Sequence, residues 1–237
     1  MEKVKTVLVT GGTGDIGEAI CKAFSEAGYF VVINYYKSEK KALALCKSLK
    51  NSDVFYADVS DKKQVEAMIK AYPDIDVLVN NAGVSFCGVF DNVPGDMAMR
   101  MYEVNLFGTL NTSRAVLPGM INKKSGVIIN ISSVWGEIGA SCEVDYSASK
   151  AAIIGFTKAL AKEVGPSQIR VNCICPGIID TKMNDHLSVA EIEDIIDTIP
   201  LERLGRPEDI AETVLFLAGE KAGYISGAVL SVNGGLN

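Results

Sequence analysis

A tyrosine and a lysine stand four residues apart in the segment YSASKAA, residues 146–152. The segment opens a predicted helix, in which side chains at positions i and i+4 project from one face. We therefore expect Tyr146 and Lys150 to lie side by side. A free phenol, with a pKa of about 10, exchanges protons poorly near neutral pH, and a nearby ammonium lowers that pKa. The pair thus suits proton donation to a carbonyl oxygen that is being reduced.

The elements that must position this pair alternate regularly along the chain. Apolar, β-branched runs such as VKTVLVT and YFVVINY are separated by segments of helical periodicity. Strands that are apolar throughout are buried on both faces, as in a parallel sheet covered by helices. We predict an α/β fold, a single-domain doubly wound (Rossmann) parallel sheet of about seven strands with helices on both faces, over residues 1–237. An insertion at about residues 178–206 follows a strand's carboxyl end, where such sheets bind ligands, and is expected to be a mobile lid.

The segment VLVTGGTGDIGEAI predicts a strand, a glycine turn and a helix. Glycines let the backbone approach a ligand closely, and the free N–H groups at the helix start suit a pyrophosphate. Asp58, at the end of the third predicted strand, has a carboxylate that suits an adenine amino group. The NNAG segment, residues 80–83, offers small residues against which a flat ring can lie. An ordinary turn is the alternative at each of these places.

Composition excludes several classes of function. The chain has 237 residues, of which 48% are hydrophobic, and a formal net charge of −6. The net negative charge does not indicate a basic surface for nucleic acid. No apolar segment approaches the roughly 20 residues that span a membrane. The start, MEKVKTVLVTGG, lacks the long apolar stretch of a signal peptide, so we expect a cytoplasmic protein. Cys173 and Cys175 fit one buried strand face, and we expect neither a metal site nor disulfides.

The full set of motifs resembles the short-chain dehydrogenase/reductase family over nearly the whole chain. Within that family the sequence is most similar to the 3-oxoacyl-[acyl-carrier-protein] reductases, above all over residues 200–235. The matching positions, in chain order, are Thr10, Gly11, Gly17, Asp58, Val59, Asn80, Asn81, Ala82, Gly83, Asn105, Ser133, Tyr146, Lys150, Pro176 and Gly177.

The resemblance implies a catalytic set of four residues. Ser133, thirteen residues before Tyr146, matches the family's serine, which holds the substrate's carbonyl oxygen. Lys150 would also reach the nicotinamide ribose, and Asn105 would retain a water that links Lys150 to bulk solvent. An asparagine inside a helix is alternatively a satisfied core residue. The single histidine, His186, is expected at the surface.

The resemblance also implies a bound nicotinamide dinucleotide. The family's loop reads Thr-Gly-x-x-x-Gly-x-Gly, and Asp15 replaces its second glycine. We expect the carboxylate of Asp15 to turn away from the pyrophosphate, Gly14 to supply the lost backbone freedom, and cofactor affinity to be weaker. The expected contacts are Gly11, Gly12, Thr13, Gly14, Asp15, Ile16, Gly17, Tyr36, Lys37, Asp58, Val59, Asn81, Ala82, Gly83, Tyr146, Lys150, Pro176, Gly177, Ile179 and Thr181.

The end of the second predicted strand, INYYKSEKK, bears on the choice of cofactor. Enzymes that select NAD usually place an acidic residue there, on the adenosine ribose. Tyr35 occupies that position, so a 2′-phosphate is not repelled, and Lys37 or Ser38 is placed to meet it. The alternative is that Lys37, Lys40 and Lys41 only solvate a helix face. We expect NADPH to be favoured over NADH.

Resemblance further implies a 3-oxoacyl substrate on acyl carrier protein, an acidic partner. Lys123 and Lys124 are expected near the family's basic carrier contact, whereas Ser167 replaces its second arginine and Arg170 lies nearby. A carbonyl or hydroxysteroid-type reductase acting on a free ketone is the alternative, since Trp135, Glu137 and Glu143 lie in the segment before Tyr146. A third interpretation is that the chain is a catalytically silent dinucleotide sensor or scaffold.

Relatives also pair two long helices, here about residues 94–122 and 145–164, across a dimer interface. We therefore expect a homotetramer or dimer, in which the terminal VNGGLN segment helps to complete the tetramer.

Overall fold

The computed structural model describes residues 4–182 and 188–236. Within these ranges, seven parallel strands form one sheet in the order β3-β2-β1-β4-β5-β6-β7. The strands are β1 (Thr6–Val9), β2 (Phe30–Tyr35), β3 (Ser52–Tyr56), β4 (Val77–Asn80), β5 (Gly126–Ile131), β6 (Ile169–Pro176) and β7 (Val229–Val232). The helices are α1 (Asp15–Glu26), α2 (Glu39–Ser48), α3 (Lys62–Ala71), α4 (Gly95–Met101), α5 (Thr109–Lys123), α6 (Trp135–Ile138), α7 (Val144–Val164), α8 (Val189–Asp197) and α9 (Pro207–Ala218).

The strand order confirms the predicted doubly wound sheet. β1 pairs with β2 on one side and with β4 on the other, so the direction of winding reverses between β1 and β4. At such a reversal the connections leave in opposite directions and open a crevice beyond the carboxyl ends of the strands. The glycine turn after β1 and the NNAG segment after β4 both lie at this crevice.

Helices cover both faces of the sheet because its strands are apolar on both. Val7 and Val9 of β1 face one side, where they pack in a buried cluster with residues of α1 and α9. Leu8, between them, faces the other side and packs with residues of α3, α5 and α7. Alternate residues of a strand point to opposite faces, so an unbroken apolar run buries both.

The long helix predicted over residues 94–122 is interrupted. α4 and α5 are joined by a π-helical turn, Tyr102–Gly108, whose backbone continues the same helix with one residue more in each turn. Asn105 lies inside this turn and is completely buried. A hydrophobic pattern with the α-helical period does not reveal such a turn, which rotates the residues after it relative to a regular helix.

The predicted lid segment, residues 178–206, carries α8 and is joined at its base. Gly205 donates its N–H to the carbonyl of Ile178 at 2.9 Å and accepts from the N–H of Asp180 at 2.8 Å. His186 lies outside the described residues. No helix in the described part of the chain is long and apolar enough to cross a membrane.

Candidate active site

Tyr146 and Lys150 lie side by side in the first turns of α7. The Nζ of Lys150 is 5.6 Å from the centre of the Tyr146 ring, as the spacing in the sequence predicts. Both residues are buried, with exposed fractions of 9% and 4%. The Nζ of Lys150 also donates to the carbonyl of Ile131, at the end of β5, at 2.9 Å. The carboxyl end of β5 therefore fixes the ammonium beside the phenol.

Burial is the largest cause of the pKa shift of both groups. Desolvation raises the pKa of Tyr146 to about 12, although a hydrogen bond with Ser133 works in the opposite direction. Desolvation lowers the pKa of Lys150 to about 8. The shift of Tyr146 is opposite to the one predicted from the sequence, because burial disfavours the charged form of each group. Tyr146 is consequently held as a protonated phenol at neutral pH.

Ser133, rather than its neighbour Ser132, is directed at Tyr146. The hydroxyl of Ser133 lies close enough to the Tyr146 phenol to act on its pKa, and it accepts from the backbone N–H of Trp135 at 3.1 Å. The hydroxyl of Ser132 instead donates to the backbone carbonyl of Lys150 at 2.8 Å. The choice of Ser133 from its spacing to Tyr146 agrees with this geometry.

Asn105 joins the π-helical turn to the segment after β4. Its Oδ1 accepts from the N–H of Val84 at 2.8 Å, and its Nδ2 donates to the carbonyl of Val84 at 2.9 Å and to the hydroxyl of Ser149 at 3.1 Å. Both N–H groups and one lone pair of the amide are thus satisfied within the core, as in the alternative given above, while Oδ1 keeps a second lone pair. A Cβ at Gly83 would lie 3.4 Å from both Asn105 Oδ1 and Lys150 Nζ, so these two groups border the same small space.

The glycine turn after β1 is shaped by contacts that allow no side chains. Gly11 has φ +61°, and a Cβ there would lie 2.8 Å from the Cα of Ala82. A Cβ at Gly17 would overlap the Gly11 carbonyl oxygen and lie 2.9 Å from Asn81 Nδ2. The hydroxyl of Thr10 accepts from the N–H groups of Asn81 and Ala82 at 3.0 Å each. The turn and the NNAG segment therefore form one cradle, which we call the dinucleotide cradle (residues 10–17 and 80–83).

Sequence reasoning missed Asn34 in the second strand. It is 2% exposed, and its Oδ1 accepts from the N–H of Gly11 at 3.2 Å while its Nδ2 donates to the carbonyl of Ala57 at 3.0 Å. One amide thus holds the glycine turn against the ends of β2 and β3. The available signal was a polar residue at the end of the otherwise apolar run YFVVINY.

Asp58 lies beyond β3, as predicted, but its carboxylate already has partners. Oδ2 accepts from Nη2 of Arg100 at 2.6 Å, and Oδ1 accepts from the N–H and hydroxyl of Ser60 at 2.9 and 2.7 Å. Burial acts to raise the pKa of Asp58, but these hydrogen bonds outweigh it and the pKa lies below its ordinary value. The Arg100 guanidinium also lies 5.7 Å from the centre of the Tyr36 ring. Tyr36, Asp58 and Ser60 line, together with Tyr56, a cavity of about 630 Å³.

Comparison with known proteins agrees with this geometry. A family model described as Enoyl-(Acyl carrier protein) reductase matches residues 12–237. The uncharacterized oxidoreductase YmfI of Bacillus subtilis (strain 168) is 41% identical over 237 residues, which are 98% of this chain and 98% of that protein. The 3-oxoacyl-[acyl-carrier-protein] reductase FabG of Staphylococcus aureus (strain Mu50 / ATCC 700699) is 39% identical over 244 residues, covering 100% of this chain and 99% of that protein. The crystal structure of a 3-oxoacyl-[acyl-carrier protein] reductase from Brucella melitensis ATCC 23457 has a TM-score of 0.94 at 35% identity, covering 99% of this chain and 91% of that one.

The chain belongs to the short-chain dehydrogenase/reductase family. It is accordingly an NAD(P)-dependent short-chain oxidoreductase, and its cofactor is a nicotinamide dinucleotide. The cradle fits such a group, since side chains at Gly11 or Gly17 would collide with backbone and close the approach to the start of α1. The same part of the cradle also contains Gly12, Thr13 and Ile16.

Asp15 is tolerated by this short-chain dehydrogenase/reductase for a reason that the sequence did not show. It is the first residue of α1 and does not have a positive φ. Gly14 has φ −71°, an extended conformation that any residue adopts, so the expected compensation by Gly14 is wrong. The carboxylate turns outward, as predicted, and bonds to Lys41 Nζ at 3.4 Å and to the N–H of Lys182 at 2.9 Å.

The lysines that follow β2 differ in their surroundings in this short-chain dehydrogenase/reductase. Lys37 and Lys40 are exposed beyond β2, and Tyr35 is buried. Lys41 is paired with the carboxylates of Asp15 at 3.4 Å and Glu18 at 3.2 Å, so it does more than solvate a helix face.

Pro176 and Gly177 form the carboxyl end of β6 and the start of the lid segment. A Cβ at Gly177 would lie 2.7 Å from the Cα of Asn233, so the chain here packs directly on the segment after β7. Ile179 is 5% exposed and belongs to the core, while the hydroxyl of Thr181 donates to the Ile179 carbonyl at 3.3 Å. Val59, which is also an expected cofactor contact, packs in a small apolar cluster beside α5.

The basic residues expected to meet a carrier are mostly used inside this short-chain dehydrogenase/reductase. Lys123 Nζ pairs with Asp76 at 2.7 Å, and Arg170 donates to the carbonyls of Leu217, Ala218 and Gly219 at the end of α9. Lys124 is exposed, but it precedes the amino end of β5, whereas Ser133 follows the carboxyl end. These cations therefore lie at the amino ends of the strands, away from the chain's own Ser133, and contact with a carrier stays a prediction.

All six cysteines are free thiols. Cys173 and Cys175 are fully buried and pack with Ile153 behind the site, as their spacing in β6 predicts. No group of three or more His, Cys, Asp or Glu in residues 4–182 and 188–236 is placed to hold a metal ion.

Proposed function

We propose that this chain is an NADPH-dependent 3-oxoacyl-[acyl-carrier-protein] reductase, which reduces a 3-oxoacyl thioester to its 3-hydroxyacyl form. The observation that carries the proposal is the buried cluster of Ser133, Tyr146 and Lys150 next to Gly83 of the dinucleotide cradle. A hydroxyl and a phenol that lie next to each other can both form a hydrogen bond with a single carbonyl oxygen. The relatives named as 3-oxoacyl-[acyl-carrier-protein] reductases, at about 40% identity over the full chain, support the substrate class.

Each side chain of the cluster has a distinct task in this proposal. A nicotinamide dinucleotide held in the cradle would supply the hydride for the carbonyl carbon. Ser133 donates a hydrogen bond that orients the carbonyl oxygen, and Tyr146, held protonated by its burial, transfers its proton to that oxygen. The ammonium of Lys150 then stabilises the phenolate through the charge beside the ring. Asn105 would hold a water that returns the proton through Lys150.

The preference for NADPH rests on charge at the end of β2. Tyr35 stands where an acidic residue would select NAD, and the exposed Lys37 follows it by two residues. A 2′-phosphate is attracted to such a cation, whereas a ribose hydroxyl gains little from it. Comparison of NADPH with NADH in the assay described below tests this part of the proposal.

A carbonyl or hydroxysteroid-type reductase acting on a free ketone is the second candidate. The internal use of Lys123 and Arg170 favours it, because these cations are not available to an acidic carrier near the chain's own Ser133. A silent dinucleotide sensor or scaffold is the third candidate, which the buried Ser133–Tyr146 pair disfavours.

The organisation of the working enzyme is part of the same proposal. Residues 1–237 would act as one dinucleotide-binding and catalytic domain with residues 178–206 as its lid. Assembly into a homotetramer or dimer is supported by large exposed apolar side chains on α4 and the π-helical turn: Met97, Met99 and Phe107. A cytoplasmic location stays a prediction.

The experiment that tests the proposal follows NADPH oxidation with three ketones: a carrier-bound 3-oxoacyl thioester, a free β-keto ester and a steroid ketone. We expect the carrier-bound substrate to have the highest kcat/KM, and Tyr146→Phe to lower turnover by about 100-fold or more while cofactor binding is retained. Tyr72→Phe is the matched control, since Tyr72 bonds to Asp53 on the far side of β3. Higher kcat/KM with a free ketone would favour the second candidate, and no turnover with any ketone would favour the third.

A further inference from the structure

Asp15 makes a contact that a glycine cannot make. Its Oδ2 accepts a hydrogen bond from the backbone N–H of Lys182 at 2.9 Å, across 167 residues of sequence. Its Oδ1 faces the Nζ of Lys41 at 3.4 Å. The Asp15 side chain is 25% exposed and Lys182 is exposed, so this bond lies at the surface of the protein. The first residue of the helix that bears the dinucleotide cradle is thus bonded directly to the lid segment.

The bond adds a second fixed point to the beginning of the lid segment. The first is Ile179, whose side chain is buried in the core beside its bridge to Gly205. Thr181, which is expected to contact the cofactor, lies between that bridge and the residue that bonds to Asp15. Both sides of Thr181 are therefore attached to rigid parts of the fold.

The position also suits a carboxylate electrostatically. An acidic residue in the first turn of a helix is favoured by the helix dipole. Lys41 balances its charge, so the repulsion that a nearby pyrophosphate would meet is reduced. A carboxylate here can serve as an anchor without closing the cradle to an anionic ligand.

We propose that Asp15 is a positioning residue that fastens the lid segment to the dinucleotide cradle through the N–H of Lys182 and thereby strengthens cofactor binding. The inference rests on the proposed binding of NADPH in this cradle. It reverses the expectation drawn from the sequence, in which Asp15 weakens that binding.

Three variants at and beside position 15 separate the hydrogen bond from the charge. Asp15→Gly removes both, whereas Asp15→Asn keeps an oxygen acceptor and removes the charge. Glu18→Gln removes one charge beside Lys41 and leaves the bond to Lys182 in place. We expect the Kd for NADPH, measured by fluorescence titration, to rise about three- to tenfold in Asp15→Gly and to stay within about twofold of wild type in the other two. KM for NADPH should rise in parallel, with a smaller change in kcat.

Hydrogen–deuterium exchange of the protein without added cofactor gives an independent readout. We expect the amides around Thr181 and Lys182 to exchange faster in Asp15→Gly than in wild type or Asp15→Asn. A backbone pair repeats the test from the other side of the bond, because Lys182→Pro removes the N–H and Lys182→Ala keeps it. Lys182→Pro should bind NADPH as weakly as Asp15→Gly, and Lys182→Ala as tightly as wild type.

Several results would overturn the inference. They are unchanged or tighter NADPH binding in Asp15→Gly, equal weakening in Asp15→Asn, or exchange near Lys182 that does not respond to Asp15→Gly. Failure of the proposed function is distinguishable, since absence of ketone reduction leaves the exchange and the titrations measurable. Absence of NADPH binding by the wild type would overturn the cofactor proposal and, with it, the role of Asp15 in binding.

Discussion

The residues of the catalytic cluster show which properties depend on local sequence and which depend on burial. The contact between Tyr146 and Lys150 follows from their spacing on one helix, and it could be predicted without the fold. Their pKa values could not, because desolvation depends on what the fold packs around both groups, which their spacing does not show. The phenol of Tyr146 is less acidic than that of a free tyrosine, whereas the ammonium of Lys150 is more acidic than that of a free lysine.

The pKa of Lys150 predicts how the stability of the folded chain varies with pH. The pKa is about 8 in the folded chain, against an ordinary lysine value of 10.5, because burial opposes the charge. Between these two pH values the unfolded chain binds more protons, so the free energy of unfolding rises as the pH increases. The contribution of Lys150 should grow by roughly 3 kcal/mol across this window.

Urea unfolding of wild type and Lys150→Met at several pH values from 7 to 10.5 measures this contribution. The difference in free energy between the two proteins isolates Lys150 from other titrating groups, because methionine has similar length and no charge. We expect wild type to gain stability relative to the variant as the pH rises above about 8. A difference that does not vary with pH would contradict the pKa given for Lys150.

At the scale of elements, the π-helical turn is the part of the site that the sequence could not predict. Gly108 ends the turn, and a Cβ there would lie 2.6 Å from Cγ2 of Val59. This close approach brings the helix against the segment that carries Asp58, at the adenosine end of the expected cofactor site. The hydrophobic periodicity predicts where the helix lies in the chain. Its local winding depends on packing against a segment that is distant in the sequence.

Gly108→Ala tests whether this contact determines the packing of the turn. We expect the variant to lose about 1–3 kcal/mol of stability, since the added methyl group collides with a buried valine rather than with a flexible side chain. Gly95→Ala, in the first turn of α4, is the matched control because its Cβ would meet nothing within 4 Å. Urea unfolding of both variants should show a loss only for Gly108→Ala. Equal stabilities would mean that the helix can shift away from Val59 without penalty.

At the scale of the whole molecule, the doubly wound sheet and the cradle could be predicted, whereas the use of the surface cations could not. Seven strands in a doubly wound order follow from the alternation of apolar and amphipathic segments. Lys123 and Arg170 appeared available for a partner, but Asp76 and the end of α9 bind them within the chain. Those partners are 47 residues or more away in sequence, and no local pattern connects them.

The exposed face of α7 bears on assembly of the whole molecule. Ala148, Ala151 and Gly155 recur on this face at helical spacing and are exposed. Small side chains let a second helix approach closely, as the proposed dimer requires. A Cβ at Gly155 would meet nothing within 4 Å, so a larger side chain fits the folded chain itself. Loss of assembly on substitution here would therefore not be an effect of misfolding.

Gly155→Glu should break the proposed assembly. We expect wild type to sediment with the mass of a dimer or tetramer and Gly155→Glu with a smaller mass, because the glutamate would be buried against the partner helix without a counter-charge. Gly165→Glu is the matched control, since a Cβ at Gly165 is equally unobstructed and lies beyond the end of α7. Sedimentation equilibrium at several protein concentrations distinguishes the outcomes. A monomeric wild type, or an unchanged mass for Gly155→Glu, would show that this face of α7 does not hold the subunits together.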